Sequence, residues 1–133
     1  MAGRTTEFNG RPAATRRCRA LADALLATTS PALFADDELH AFEHLDTAVR
    51  STVLGGDCYN YACLASGHLD IVVETGLKLH DFAALVPVVE GAGGVMCDWA
   101  GDPLHAGSAG DVIAAGDAAR VEDILKALAC RGH

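Results

Sequence analysis

Two short stretches of the chain place carboxylates next to glycines or at the start of a predicted helix, where ligands are commonly bound. In the first, Gly55-Gly56-Asp57 lies between a predicted strand and a predicted helix, and a glycine pair allows a ligand to approach the backbone closely. A tight turn that uses Asp57 as a helix cap explains the same residues equally well. In the second, Glu74 ends a predicted strand and Asp81 lies in the first turn of the next helix. Those two carboxylates could converge, although the helix dipole alone also favours Asp81 at that position.

The elements that must position these residues alternate between strands and helices. Apolar and β-branched runs predict strands at 51–54, 69–75, 95–97 and 112–115, after a short apolar segment at 24–29. Helices are predicted at 36–49, 57–66 and 80–92, with a last helix that begins at Asp117. This alternation predicts a layered α/β domain.

The predicted helix at 80–92 is apolar on nearly every face, which is typical of a helix that is covered on all sides. Pro87 in its interior removes the hydrogen bond to the carbonyl of Ala83, so we expect a kink there. Gly93-Gly94 is predicted to end this helix.

The composition favours one soluble domain that spans residues 1–133. A chain of 133 residues has room for one core, since a domain takes roughly 100 to 200 residues. Half of the residues are apolar and only 5% are aromatic, so the core is expected to consist of Ala, Val, Leu and Ile. No run approaches the roughly 18 to 20 apolar residues of a membrane span, so no membrane partner is expected.

The formal net charge is −8, but the charges are unevenly distributed. The first twenty residues hold five arginines and one glutamate, whereas the rest carries five cations and seventeen acids. A net acidic body repels phosphate backbones and the basic arm lacks interleaved aromatic residues, so nucleic acid is not expected as a partner. The arm resembles an organelle transit peptide in its arginine content. Turn chemistry at Phe8-Asn9-Gly10-Arg11-Pro12 instead favours an exposed pair of strands.

The cysteine and histidine patterns give little support to a zinc site. Five cysteines, at positions 18, 58, 63, 97 and 130, form no Cys-x-x-Cys spacing and follow no signal peptide, which is typical of free thiols in a cytoplasmic protein. The segment His40-Ala41-Phe42-Glu43-His44 matches the H-x-x-E-H zinc pattern. No third ligand is evident, and a solvated acidic helix edge explains the segment without a metal.

A longer part of the chain carries a family resemblance. It resembles the second signature of the inositol monophosphatase family at Leu77-Lys78-Leu79-His80-Asp81-Phe82-Ala83-Ala84, followed by Glu90-Gly91-Ala92-Gly93-Gly94. It resembles the histidinol-phosphate phosphatase branch at Gly55-Gly56-Asp57-Cys58-Tyr59, at Leu64-Ala65-Ser66-Gly67 and at 95–104. The resemblance covers almost the whole chain. It implies a mixed sheet with helices packed on it, as in the carboxyl-terminal half of that fold.

The resemblance implies Mg²⁺-dependent hydrolysis of a small phosphorylated metabolite, histidinol phosphate or an inositol phosphate, by water activated on the metal. By the motif match, Asp81 is the expected Mg²⁺ ligand. Glu74 matches the carboxylate that holds hydroxyl or amine groups of the substrate, and an acidic receptor suits the cationic amine of histidinol phosphate. Gly55, Gly56 and Asp57 fall at the substrate loop.

The chain also departs from the family pattern. Members carry, upstream, a glutamate and an Asp-Pro-x-Asp-Gly-Thr segment that these 133 residues do not contain. The resemblance therefore implies that the amino-terminal metal-binding half is absent and that no catalytic residue lies in this half. Either activity needs a complementing amino-terminal half, or the chain is a truncated and inactive remnant that binds a ligand or a partner. An uncovered sheet edge also favours self-association.

Overall fold

The computed structural model describes residues 7–8, 11–30, 32, 34–108 and 110–129, and this part of the chain contains seven short strands and four α-helices. The strands are β1 (Glu7–Phe8), β2 (Arg11–Pro12), β3 (Leu25–Thr28), β4 (Ser51–Leu54), β5 (Ile71–Glu74), β6 (Val95–Cys97) and β7 (Val112–Ala115). The helices are α1 (Asp36–Ala48), α2 (Tyr59–Ala65), α3 (Leu79–Gly91) and α4 (Val121–Ala129). The predicted alternation is confirmed from β3 to β6, after which β7 follows β6 directly. A 3₁₀ turn at Ala118–Arg120 leads from Asp117 into α4.

Five of the strands form one mixed sheet in the order β4-β3-β5-β7-β6. Strand β3 pairs in parallel with β4 and with β5, whereas β7 runs antiparallel to β5 and to β6. All four residues of β5 are buried, because a strand with helices on both faces of its sheet is covered on both sides. The expected mixed sheet with packed helices is confirmed.

The helices pack on the two faces of this sheet and give it a core on each. On one face, α1 and α4 contribute Ala41, Phe42, Leu45, Ile124 and Leu128. On the other face, α2 and α3 contribute Tyr61, Leu64, Phe82 and Val89. Within β5, Ile71 and Val73 belong to the first core and Val72 to the second, as the two-residue period of a strand requires. Glu74, two residues after Val72, shares the face of α2 and α3 by the same period.

Strands β1 and β2 form a separate antiparallel pair, in which Glu7 lies opposite Pro12 and Phe8 lies opposite Arg11. The predicted strand pair is therefore confirmed. The turn at 9–10 and Arg4 of the basic arm lie outside the described residues.

An ion pair ties the amino-terminal arm to the beginning of β5. The Nε and Nη2 atoms of Arg16 donate to the two carboxylate oxygens of Asp70, each at 2.9 Å. The N–H of Leu25 donates to the same carboxylate at 2.8 Å. Asp70 is only 4% exposed, so these partners offset the cost of removing a charge from water. The hydrogen bond to Asp70 in turn raises the pKa of Arg16.

Helix α3 is less covered than its composition predicts. Phe82 and Val89 are buried, whereas Leu79, Ala83 and Pro87 are exposed. The prediction of a helix covered on all sides is wrong for the described part of the chain, because α3 packs against α2 and β6 from one side. Pro87 lies inside the helix, and the kink at that residue stays a prediction. None of the described helices, α3 included, has the length and apolar character needed to cross a membrane.

Candidate active site

The carboxyl ends of three parallel strands, β3, β4 and β5, meet at one edge of the sheet. The helix that follows β3 packs on one face of the sheet, and the helix that follows β5 packs on the other. In open α/β sheets, adjacent strands whose connections leave on opposite faces create a crevice in which ligands bind. This topology makes the edge between Thr29, after β3, and Glu74, at the end of β5, the expected place for chemistry.

A cavity of about 260 Å³ lies at this edge. Its lining residues are Thr29, Asp57, Cys58, Tyr61, Glu74, Thr75, Gly76, Leu77, Asp81 and Leu85. The structure thus brings together Asp57, Glu74 and Asp81 from the predicted site. Gly55 and Gly56 directly precede Asp57 and are not among the lining residues. A larger cavity of about 450 Å³ lies between α1 and the edge strand β4, and it contains none of the predicted site residues.

The turn from β4 to α2 is shaped by three consecutive residues with positive φ. Gly55, Gly56 and Asp57 have φ values of +88°, +100° and +44°. Asp57 is therefore a turn residue and no helix cap, since α2 begins two residues later at Tyr59. The side-chain amide of Asn60 donates to the carbonyl of Gly55 at 2.8 Å and locks the turn. This left-handed path is rare outside glycine but is tolerated by Asp, and it places the Asp57 side chain at the cavity.

Glu74 is buried, and hydroxyl groups hold both of its carboxylate oxygens. Oε1 accepts a hydrogen bond from the Tyr61 hydroxyl at 2.6 Å, and Oε2 accepts one from the Thr29 hydroxyl. The residue as a whole is 7% exposed. Burial and the adjacent negative charge of Glu74 raise the pKa of Tyr61 well above its usual value, so this hydroxyl keeps its proton and acts as a donor.

Asp81 lies in the first turn of α3, as predicted. Its Oδ2 accepts the backbone N–H of Lys78 at 3.0 Å, which satisfies one of the unpaired donors at the start of the helix. Its Oδ1 lies 3.4 Å from His80 Nε2, and the Asp81 side chain is 35% exposed. Helix capping and a ligand role are compatible here, because each carboxylate oxygen has a second lone pair.

The cavity is acidic. Three carboxylates line it, and among its described lining residues none carries a positive charge. Carboxylates that share a site repel one another and repel anions, so such a site favours a cation. A phosphate group therefore needs a cation between itself and these side chains.

The family model described as the inositol monophosphatase family matches residues 1–132. The chain belongs to the inositol monophosphatase family. Members of this family are phosphatases and are generally Mg²⁺-dependent.

Three relatives illustrate the similarity. The inositol monophosphatase structure from Zymomonas mobilis superposes with a TM-score of 0.91 at 55% identity, covering 92% of this chain and 49% of that one. The chloroplastic bifunctional phosphatase IMPL2 of Arabidopsis thaliana is 44% identical over 135 residues, which is 96% of this chain and 39% of the relative. A histidinol-phosphatase of Chlorobaculum parvum is 41% identical over 46 residues, covering 35% of this chain and 18% of that protein. The chain thus spans half or less of the length of each of these proteins.

The chemistry of the cavity fits the Mg²⁺ of this family in ligand type, and the described residues supply only part of a ligand set. Carboxylate oxygens are the hard ligands that Mg²⁺ prefers, and one or two of them usually suffice when water and phosphate oxygens complete the shell. Within the described residues, no group of three His, Cys, Asp or Glu side chains is placed to hold a metal ion. Asp81 can therefore supply one ligand, while further ligands must come from water, phosphate or residues outside the described set.

Two residues that support Glu74 at this site were not predicted from the sequence. Tyr61 and Thr29 hold Glu74, yet they lie 13 and 45 residues away from it along the chain. Threonine and tyrosine are too common for their type to be a signal. The burial of an amphipathic Tyr on the sheet-facing side of α2 is the one hint that its hydroxyl needs a partner.

The H-x-x-E-H segment does not form a metal site in the described structure. His40, Glu43 and His44 are exposed on α1 and belong to no metal-binding group of described residues. Four of the cysteines are free thiols, as expected, namely Cys18, Cys58, Cys63 and Cys97. Cys130 and His133 lie outside the described residues.

Proposed function

We propose that this chain forms the substrate-binding half of a Mg²⁺-dependent phosphomonoesterase that acts on histidinol phosphate. The observation that carries the proposal is the arrangement of Asp57, Glu74 and Asp81 around one cavity at the carboxyl ends of three strands. Membership of the inositol monophosphatase family supports phosphate ester hydrolysis. The short match to a histidinol-phosphatase supports the choice of ester, and an inositol phosphate is the ester to compare with it.

The charges of the ester and of the cavity support this choice. Histidinol phosphate carries a cationic amine on the carbon next to the one that bears its anionic phosphate, and an imidazole at its other end. Glu74 offers a buried carboxylate to the amine, and a charge-assisted hydrogen bond there is stronger than one to a neutral hydroxyl. The phosphate end requires a cation beside Asp81, which agrees with metal dependence.

Each residue has a separate task in this proposal. The chemistry that a bound Mg²⁺ would supply is an activated water and neutralisation of charge at the phosphate group. Asp81, fixed by the N–H of Lys78, would hold the metal on this side of the site. Glu74 binds and orients the organic part of the ester. The substrate loop formed by Gly55, Gly56 and Asp57 flanks the ligand, and bond cleavage needs residues of a complementing half.

The test is Mg²⁺-dependent phosphate release from histidinol phosphate and from an inositol phosphate. The chain is assayed alone and with the part of the Zymomonas mobilis protein that it does not match. We expect no release by the chain alone, release from histidinol phosphate by the mixture, and loss of that release in Asp81→Asn. No release by a mixture that forms a stable complex would show that the proposal is wrong.

The second candidate is a non-catalytic remnant that binds a phosphate ligand or a partner. The exposed apolar residues at this edge favour an associated state, since Leu54, Tyr59 and Leu79 are 60%, 72% and 49% exposed. Binding of histidinol phosphate with no release in any mixture would favour it.

The cytoplasm is the proposed compartment on the basis of the cysteine pattern, and the IMPL2 relative is named as chloroplastic.

A further inference from the structure

The partners of Glu74 are unusual for a buried carboxylate. A buried charge is normally paired with an opposite charge or a metal. Here the donors are two neutral hydroxyls, Tyr61 to Oε1 and Thr29 to Oε2. Neutral donors stabilise the carboxylate without cancelling its charge, so the negative charge stays available to a third group.

The two donors come from different elements and fix both oxygens. Thr29 follows β3, and its hydroxyl reaches across to the end of β5. Tyr61 is 1% exposed, and its ring packs in the core beneath α2 and α3. A side chain held at both oxygens from two rigid elements loses its freedom to turn away from the cavity, and such preorganisation favours binding of a matching ligand.

The remaining lone pairs of the carboxylate define what it can bind. After two hydrogen bonds, each Glu74 oxygen keeps one acceptor position. A cationic amine gains both a hydrogen bond and charge pairing there, whereas a hydroxyl gains a hydrogen bond alone. No described lining residue carries a positive charge that would compete with the amine for Glu74.

We propose that Tyr61 and Thr29 are positioning residues, which fix the Glu74 carboxylate at the cavity and thereby favour phosphate esters that carry a cationic amine over esters that carry only hydroxyls. This inference rests on the proposed function, because it concerns the same cavity. It assigns a selective role to two residues that otherwise only satisfy a buried charge.

The groups that face Glu74 supply no positive charge that could replace the amine. Asp57 and Cys58 reach the cavity from the turn before α2, Tyr61 from α2 and Asp81 from α3, while the described lining residue after β3 is Thr29. Removing a hydroxyl donor frees one oxygen of the Glu74 carboxylate to turn, so the variant should bind the amine more weakly.

The experiment measures the affinity for histidinol phosphate and for an inositol phosphate by calorimetry, with Mg²⁺, at neutral pH. It uses the full chain with the complementing part of the Zymomonas mobilis protein. Tyr61→Phe keeps the ring and removes its hydroxyl. Thr29→Val keeps the branched shape of threonine and removes its hydroxyl, whereas Thr29→Ser retains a hydroxyl. We expect roughly tenfold weaker binding of histidinol phosphate in Tyr61→Phe and in Thr29→Val, from the loss of one hydrogen bond to a charged group. We expect a much smaller change for the inositol phosphate, and near wild-type affinity in Thr29→Ser.

Equal weakening of both esters, or no weakening of either, would overturn the positioning role. If the wild-type mixture binds neither ester, the proposed function fails by itself. The positioning role is then decided by the ¹³C NMR resonance of the Glu74 carboxyl carbon in the chain at neutral pH. A resonance that moves or broadens in Tyr61→Phe and in Thr29→Val but not in Thr29→Ser supports the role, and an unchanged resonance in the first two variants rejects it.

Discussion

Strand β5 carries a buried carboxylate at each end, and the two ends differ in how that charge is satisfied. Asp70, just before the strand, is paired with the Arg16 guanidinium and with the N–H of Leu25. Glu74, the last residue of the strand, is held by two neutral hydroxyls and lines a cavity with other acids. The exposed fractions are nearly equal, 4% for Asp70 and 7% for Glu74, so burial alone does not separate a structural carboxylate from a candidate ligand-binding one.

The partner decides the role. A carboxylate whose charge is cancelled by a guanidinium has nothing left to offer a ligand, and its removal should harm the fold. A carboxylate that keeps its charge in a cavity is a candidate for binding, and its removal should harm the fold much less. The closed end at Asp70 and the open end at Glu74 therefore make opposite predictions for the same chemical change.

The largest expected difference in stability is between two matched amide substitutions, Asp70→Asn and Glu74→Gln. Asp70→Asn should lower the free energy of unfolding by about 2–3 kcal/mol, because it breaks a buried ion pair. The value stays below the upper range for such pairs because the Arg16 side chain is 40% exposed. Glu74→Gln should cost less than about 1 kcal/mol, since an amide can still accept from Tyr61 while the Thr29 hydroxyl rotates to accept from it.

Urea denaturation of both variants measures these changes. Similar losses in the two variants would contradict the distinction between the closed and open ends.

At the open end, the backbone conformation at Gly55 and Gly56 should contribute more to stability than the charge of Glu74. A Cβ at Gly56 would lie 2.3 Å from Asn60 Oδ1, whereas a Cβ at Gly55 would meet nothing within 4 Å. Both positions have positive φ, so each alanine costs about 1 kcal/mol or more. We expect about 2–3 kcal/mol for Gly56→Ala and about 1 kcal/mol for Gly55→Ala, as measured by chemical denaturation. Equal losses would show that the contact with Asn60 is unimportant.

The smallest expected change in stability is for a substitution of Asp117, which lies at the closed end. Its Oδ2 accepts the N–H of Cys18 at 2.9 Å and its Oδ1 accepts the N–H of Ala119 at 3.0 Å. The hydrogen bond from Cys18, followed by that from Ala119, lowers the pKa of Asp117. Its contribution is therefore complete above the pKa of a free aspartate, about 3.9, and is lost as the pH falls through the lower folded value.

We expect Asp117→Ala to be about 1 kcal/mol less stable than wild type near neutral pH. The difference should narrow as the pH falls below about 4. Thermal unfolding over a pH series measures it, and a difference that grows in acid would contradict the assigned hydrogen bonds.

The fold was largely predictable because its signals are local. Apolar and β-branched runs predicted β4, β6 and β7, and the helix predicted at 36–49 is observed as α1. The cover of α3 was not predictable, since an apolar sequence shows what a helix can bury and not whether a partner is present. The conformation of Asp57 was also missed, because a cap and a left-handed turn residue use the same residue type.

The grouping of the three carboxylates at the candidate site was predictable, but the side chains that support them were not. Asp57, Glu74 and Asp81 stand at element ends, where sequence patterns indicate ligand positions. The hydroxyls of Thr29 and Tyr61 meet Glu74 only because β3 lies beside β5 in the sheet and α2 packs on the face that Glu74 shares. That order of strands is a property of the whole fold, and no local pattern contains it.

The most direct test of the central claim is the Mg²⁺-dependent binding of histidinol phosphate by wild type and by Glu74→Gln, measured by calorimetry in the presence of the complementing part. The account predicts that wild type binds the ester only with Mg²⁺, and that Glu74→Gln loses roughly tenfold or more in affinity while it unfolds at nearly the same urea concentration. Equal affinity in the two proteins, or a loss of affinity that merely follows a loss of stability, would contradict it.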